Sequence, residues 1–252
     1  MFVIPTECSE RRNPLVFNNL CMVKPLGFNV TKEVLNLGVK VITARIIGVN
    51  NSEINQDFEI YKNEELENIK KKLTGKNYKD DPILQGFRDL HTKVGRSNRD
   101  YVASPEGLRR LFLERSRFPH INTVVDIYNL VSLKSGLALG AHDVDKIQGN
   151  VKLCLTKGDE IFIPLGADNQ VAVFPGEYCY VDDGNNVICR LEVLQVEPTK
   201  ITTSAQDIFI IVEGNANTSF EYVAEMAKEV CTLIKRYCGG DVSFFPQAAI
   251  DT

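Results

Sequence analysis

Apolar and polar positions along this chain follow either a strand or a helix period, and the changes between them mark its elements. Val39 to Val49 (VKVITARIIGV) is β-branched with partial period-two alternation, which predicts a strand ended by Asn50, Asn51 and Ser52. Glu59 to Thr74 spaces Ile60, Leu66, Ile69 and Leu73 as a helix does, among Lys and Glu. Lys70 to Lys72 in that span read as a solvated helix face. Asp81-Pro82 opens a second helix through Phe87, Leu90 and Val94. Ser104-Pro105-Glu106 opens a third, with Ser104 expected as the N-cap, Pro in the first turn and an acid near the positive end of the helix dipole. Phe118-Pro119 stops that helix.

Before these, residues 1 to 27 read as an irregular lead-in with prolines at 5, 14 and 25, and FNVTKEV as a short strand running into a helix start capped by Thr31. Later the rhythm shortens. Asn150 to Thr156 and Glu160 to Pro164 predict short strands. Tyr178 to Val181 and Val187 to Leu194 predict a hairpin around Asp182-Asp183-Gly184-Asn185-Asn186. Ile208 to Val212 is an apolar strand ending at Glu213. Thr218 is expected to cap a helix to Tyr237, with Phe220, Val223, Ala227, Val230, Cys231 and Ile234 near one stripe and Gly239-Gly240 as its stop. From Asp241 the chain reads as a tail. Helices first, strands later and a helix last make this α+β.

The most distinctive stretch is Asn122 to Lys146, NTVVDIYNLVSLKSGLALGAHDVDK. Apolar residues there interleave with Asp126, Asn129, His142, Asp143 and Asp145, the pattern of a pocket wall. His142 is a candidate base or hydrogen-bond donor, against a packed histidine bonded to Asp143 or backbone. Asn129 is either a ligand-binding amide or a structural one, and Asp126 has a turn or cap role as its alternative. Glu213 ends an interior strand, where a carboxylate is placed to read a ligand amine, against capping of the following Gly-Asn loop. Arg190 follows the hairpin turn and pairs with a carboxylate such as Glu213 or binds a phosphate. The loop with Arg96 and Arg99, near His91, Lys93 and Lys79, is the most basic region and reads as a solvated face or an RNA contact.

Composition narrows the classes. The 252 residues allow one large domain or two small ones. A net charge of −4 argues against broad, nonspecific nucleic-acid binding, which needs a basic surface. Seven cysteines without CxxC spacing fit reduced thiols, and Met1 to Asn13 has no apolar core of a signal peptide. The expected setting is cytoplasmic. Three scattered histidines give no zinc site, no cofactor motif is present, and no apolar run is long enough to span a membrane.

Four segments in order, SPEGLRRLF, INTVVDIYNLVSLKSGLALGAHDVDKIQG, PGEYCYVDDGNNVICR and PTKITTSAQDIFIIVEGN, resemble the B3/B4 domain of phenylalanyl-tRNA synthetase β subunits and, more closely, freestanding B3/B4-domain proteins. The motif order holds from about Lys79 to Gly240, with residues 1–78 less well placed and 241–252 as a tail of one B3/B4-like domain. The resemblance implies three layers, β, β and α, and an editing pocket that hydrolyses tyrosine wrongly attached to the phenylalanine tRNA. Asn129 matches the pocket Asn of the VDxxNYV pattern, and Glu213 in IFIIVEG matches the pocket Glu. In GLALGAHD, Gly140 takes the place of the family's pocket histidine, and His142 lies where the family has Phe. The Gly-rich AGVMGG becomes VICRLEV, with Arg190 in place of a small residue. Two functions remain open. One is a trans-acting hydrolase of misacylated tRNA, with His142 and Glu213 catalytic and Asn129, Asp126, Gly140 and Arg190 holding substrate. The other is a non-catalytic binder of an amino acid, a nucleotide or an RNA end. Aminoacylation by this chain is not expected.

Overall fold

The computed structural model describes residues 24–245 and 248–250. The expected lead-in therefore lies, up to residue 23, outside the described residues. Among the described residues ten strands form two sheets. The larger has six strands, in the order β10 (Ala248–Ile250), β1 (Phe28–Thr31), β4 (Val151–Leu155), β5 (Tyr178–Asp182), β6 (Val187–Arg190) and β7 (Leu194–Gln195). The smaller runs β3 (Ala138–Asp143), β8 (Asp207–Gly214), β2 (Lys40–Ile47), β9 (Asp241–Phe244).

β8 shows why the layers form. Its Ile208, Ile210 and Val212 face one side and Phe209, Ile211 and Glu213 the other, as a period of two requires. The first side packs on α5 (Thr123–Ser135) and α6 (Phe220–Cys238), with α2 (Gln56–Leu73) and α4 (Ser104–Arg115) outside them. The second side meets Phe28, Val30, Tyr178 and Tyr180 of the larger sheet, and Val34 of α1 (Lys32–Asn36) and Phe87 and Leu90 of α3 (Pro82–Lys93) add to that layer. A strand covered on both faces reads as an unbroken apolar run, which is the Ile208–Val212 pattern. The result is the expected α+β arrangement in three layers, β, β and α. Each fully buried Val, Leu, Ile or Phe contributes roughly 1.5–3 kcal/mol relative to exposure. A third, smaller cluster under the 156–175 loop, with Phe162, Val173 and Val187, covers the outer face of the larger sheet.

Several local expectations change. α4 starts one residue early: Ala103 holds the cap position without a side-chain bond, and Ser104 is already helical. α6 is capped by Ser219, whose hydroxyl accepts from the Tyr222 amide at 3.0 Å, while the Thr218 hydroxyl accepts from the Asn215 amide at 3.1 Å. Thr31 precedes α1 but makes no side-chain cap bond. Residues 160–164 form only isolated bridges, Ile161 to Asn186 and Pro164 to Val196. The segment from Asp241 is no tail: β9 pairs with β2 and β10 with β1, so it borders both sheets. The second arm of the hairpin breaks after Arg190, because Leu191 takes a left-handed backbone at φ 53°. No helix among the described residues is long and apolar enough to cross a membrane.

Candidate functional site

A cavity of about 360 Å³ opens between the two sheets. α5 gives it Val125, Tyr128 and Asn129; β3 gives Ala138, Gly140 and His142; β8 gives Ile211 and Glu213. The larger sheet closes it with Tyr180, Cys189 and the turn from Glu192 to Gln195. Among the described residues no Lys or Arg lines it.

Gly136 shapes the α5 side. It ends the helix at φ 77°, a left-handed position that suits glycine, and sends the chain straight into β3. Antiparallel pairing then sets Ala138 beside Glu213 and His142 beside Phe209. His142 is 1% exposed. Its Nδ1 lies 2.9 Å from the Thr199 hydroxyl, and its Nε2 has no hydrogen-bond partner among the described residues. Burial pushes its pKa down to about 4, so the ring is neutral at pH 7.

Glu213 is equally buried. The Tyr180 phenol donates to its Oε2, and its Oε1 has no hydrogen-bond partner among the described residues. Burial, and then the charge of Glu192, raise its pKa to about 8 against the opposing Tyr180 bond. Glu192 reaches the same cavity because of the Leu191 turn. A bulky side chain in the left-handed region costs on the order of 1–2 kcal/mol. Burial of Leu191 and the Leu191 amide donating to the Tyr178 carbonyl at 3.0 Å hold the turn in place. Beneath the cavity Tyr178 donates to Glu192 Oε2, and His91 Nε2 lies 2.6 Å from Glu192 Oε1. Burial by itself would lower His91, but the bond and charge of Glu192 raise it.

Four of the six residues singled out in the sequence therefore line one cavity: Asn129, Gly140, His142 and Glu213. Asn129 is half-buried on α5, less enclosed than its apolar neighbours suggest. A Cβ at Gly140 would meet Gln195 Nε2 at 3.2 Å, so the Gln195 amide borders the place of a side chain at 140. Tyr128 faces the same amide, and burial raises its pKa to about 12.

The structure does not bring Asp126 and Arg190 to the cavity. Asp126, in the first turn of α5, lies 3.1 Å from Lys62 Nζ and 2.6 Å from His120 Nδ1, and accepts from the Ile121 amide at 3.0 Å. It thus holds the loop that sets Ile121 at the cavity wall. Arg190 points to the opposite face of β6 from Cys189, as alternation along a strand requires. It pairs in two-pronged fashion with the buried Glu177 at 2.7 and 3.0 Å, not with Glu213. Arg96 donates to Glu177 Oε1, the oxygen that Arg190 Nη2 also bonds, and stacks 4.5 Å from the Phe174 ring centre, so this basic residue is a structural partner.

Glu59, His120 and Asp126 bring ligand atoms within 4.8 Å of one another. The Lys62 ammonium already stands there, 2.5 Å from Glu59 and 3.1 Å from Asp126, so a metal ion would have to displace it. Sequence reasoning missed Glu192, Tyr180, Gln195 and Thr199. A signal existed for Tyr180, which shares a face with Tyr178 by alternation, and a weaker one for Glu192, an acid flanked by Leu191 and Val193; Gln195 and Thr199 left none.

The B3/4 domain family model matches residues 87–239, more than half of the chain and every element that builds the cavity. The chain belongs to the B3/4 domain family. The chain is similar to part of the phenylalanine–tRNA ligase β subunit of Mycoplasma genitalium, at 27% identity over 126 residues. That match covers 50% of the chain but only 15% of the relative. In three dimensions the chain is similar to an N-terminal fragment of the phenylalanyl-tRNA synthetase β subunit from Pyrococcus horikoshii, with a TM-score of 0.51 and 15% identity. The likeness covers 91% of this chain and 54% of that fragment, and at such identity it speaks for the fold alone.

Proposed function

We propose that this B3/4 domain hydrolyses the ester between a wrongly attached amino acid and the 3′ end of a tRNA, acting in trans in the cytoplasm. The observation that carries the reading is the convergence of His142 Nε2 and Glu213 Oε1, two buried atoms without hydrogen-bond partners among the described residues, on one cavity with Asn129. Buried polar atoms left unpaired in a native fold call for a functional explanation, and a ligand supplies one. In this reading the aminoacyl group enters between the sheets. Asn129 and Glu213 bind its polar groups, and Gly140 leaves room beside Gln195. Water adds to the ester carbonyl carbon, the bond to the ribose oxygen breaks, and the proton from water ends on that oxygen. A histidine whose pKa is about 4 is a weak base at pH 7, so His142 orients water and bonds the developing charge. Exposed Arg115 and Arg117, on the chain that leads to Ile121 at the cavity, suit a phosphate backbone.

A non-catalytic binding protein is the second reading, favoured by the low basicity of His142 and the absence of a side chain at Gly140. Deacylation of tyrosyl-tRNA for phenylalanine, and of a panel of other misacylated tRNAs, separates the two. The hydrolase reading expects turnover that falls at least about 100-fold in Asn129→Ala and His142→Ala. Stoichiometric binding without turnover on any ester would leave the binding protein.

A further inference from the structure

We propose that Glu192 and Glu213 form a paired-carboxylate subsite that takes up the ammonium group of a ligand in exchange for a proton. This rests on the reading of the cavity as an aminoacyl site and names the chemistry of its floor. Glu192, on the β6–β7 turn, and Glu213, on β8, line the same cavity from opposite sheets. Their surroundings differ. Glu192 has a counter-ion, His91 of α3 at 2.6 Å, and a bond from Tyr178 of β5. Glu213 has the Tyr180 phenol of β5 and a buried oxygen without a hydrogen-bond partner among the described residues, although the residue is only 1% exposed.

Among the described residues the other titratable groups on these walls carry no compensating charge. His142 of β3 is held neutral by burial. Burial raises the Cys189 thiol of β6 and the Tyr178 and Tyr180 phenols well above their ordinary values, so they stay protonated. Among the described residues no Lys or Arg lines the cavity. With both carboxylates ionised and His91 protonated, the group of three carries one net negative charge. Either a proton or a monocation cancels it. Without a ligand the proton does so, on Glu213, which burial and the Glu192 charge lift to about 8. A bound ammonium takes its place: it pairs with the Glu213 carboxylate, the Glu213 proton leaves to solvent, and the net charge returns to zero.

The probe is L-phenylalaninol, an amino alcohol protonated across the working range, beside its deaminated counterpart 3-phenylpropan-1-ol. Calorimetry at pH 7 in two buffers of different protonation enthalpy counts the protons released. The expected result is release approaching one proton per bound amino alcohol and none for the deaminated alcohol. The amino alcohol's affinity should climb with pH from 6 to 8 by up to about tenfold per unit. In Glu213→Gln, an isosteric change, proton release and pH dependence should both vanish. The wild-type pH series stands alone if that variant fails to fold. Binding of the amino alcohol without proton release, or no tighter than the deaminated alcohol, would overturn the exchange while leaving the aminoacyl reading intact. Failure of both alcohols, and of a non-hydrolysable 3′-aminoacyl adenosine, to bind would overturn both.

Discussion

Replacing Arg190 with Met tests whether this arginine serves the fold or a ligand. In the wild type Glu177 is fully buried and holds Arg190 by two bonds and Arg96 by a third. Met fills the arginine's path between Tyr101, Phe162 and Phe174, whose ring centres lie 5.3 to 5.7 Å from the guanidinium. It leaves Glu177 with Arg96 alone. Breaking a buried pair costs about 3–5 kcal/mol. Since Arg96 keeps one side of the carboxylate, the lower end applies, about 3 kcal/mol. That is a large share of the roughly 5–15 kcal/mol that holds a typical protein folded. Urea unfolding should show the midpoint falling at an unchanged slope. In Arg190→Met/Glu177→Met no charge is stranded in the interior, because Arg96 is partly exposed. The double variant should then cost at least about 1 kcal/mol less than the sum of the two single variants. Where Arg190→Met is still folded, its affinity for a 3′-aminoacyl adenosine analogue should match wild type within about twofold. A cost under about 1 kcal/mol, or strict additivity, would refute the ion-pair account. Lost affinity at full stability would return Arg190 to the ligand.

Three further outcomes follow from the same geometry. The folded pKa of Glu213 lies above its ordinary 4.5, at about 8, so the folded chain keeps a proton that the unfolded chain releases. Its contribution to stability is thus full below pH 4.5 and is lost as pH rises to about 8, at up to roughly 1.4 kcal/mol per unit; denaturant titrations of Glu213→Gln across that window should lack this slope. Asp126→Asn should cost about 1.5–3 kcal/mol by leaving Lys62 with Glu59 alone and should speed hydrogen exchange at the Ile121 amide, whereas unchanged exchange there would mean that Asp126 does not hold the loop. Gly140→Val should weaken binding of the amino alcohol at least tenfold while lowering stability by less than about 1.5 kcal/mol, because its branches enter the cavity beside the movable Gln195 side chain; unaltered affinity would move the ligand elsewhere.

What could be read in the sequence follows from how local each signal is. Ile208–Val212 declares itself as an unbroken apolar run and α6 by its stripe, so an interior strand ending at Glu213 and a packed last helix were legible, while the three layers came from the family resemblance. His142 and Gly140 were found because β3 carries them close together, and Asn129 because a family pattern runs through α5. Arg190 misled because its partner, Glu177, lies across a hairpin, and one step of alternation decides which face a strand residue takes. Asp126 misled because an acid among apolar residues looks the same whether it meets a ligand or Lys62 and His120. Glu192 escaped notice because its entry into the cavity depends on the left-handed turn at Leu191, which no propensity predicts for leucine. The β9 and β10 pairings are long-range and leave little mark in a segment of ten residues.

The central claim is that an aminoacyl ester lies between the two sheets. A crystal structure with a non-hydrolysable 3′-aminoacylamino-adenosine tests it most directly. The account predicts the aminoacyl group in the cavity, its ammonium at Glu213 and Glu192, its carbonyl beside His142 and Asn129, and its ribose toward Ile121. An analogue bound with its aminoacyl group outside this cavity, or turned so that its carbonyl meets neither His142 nor Asn129, would contradict it.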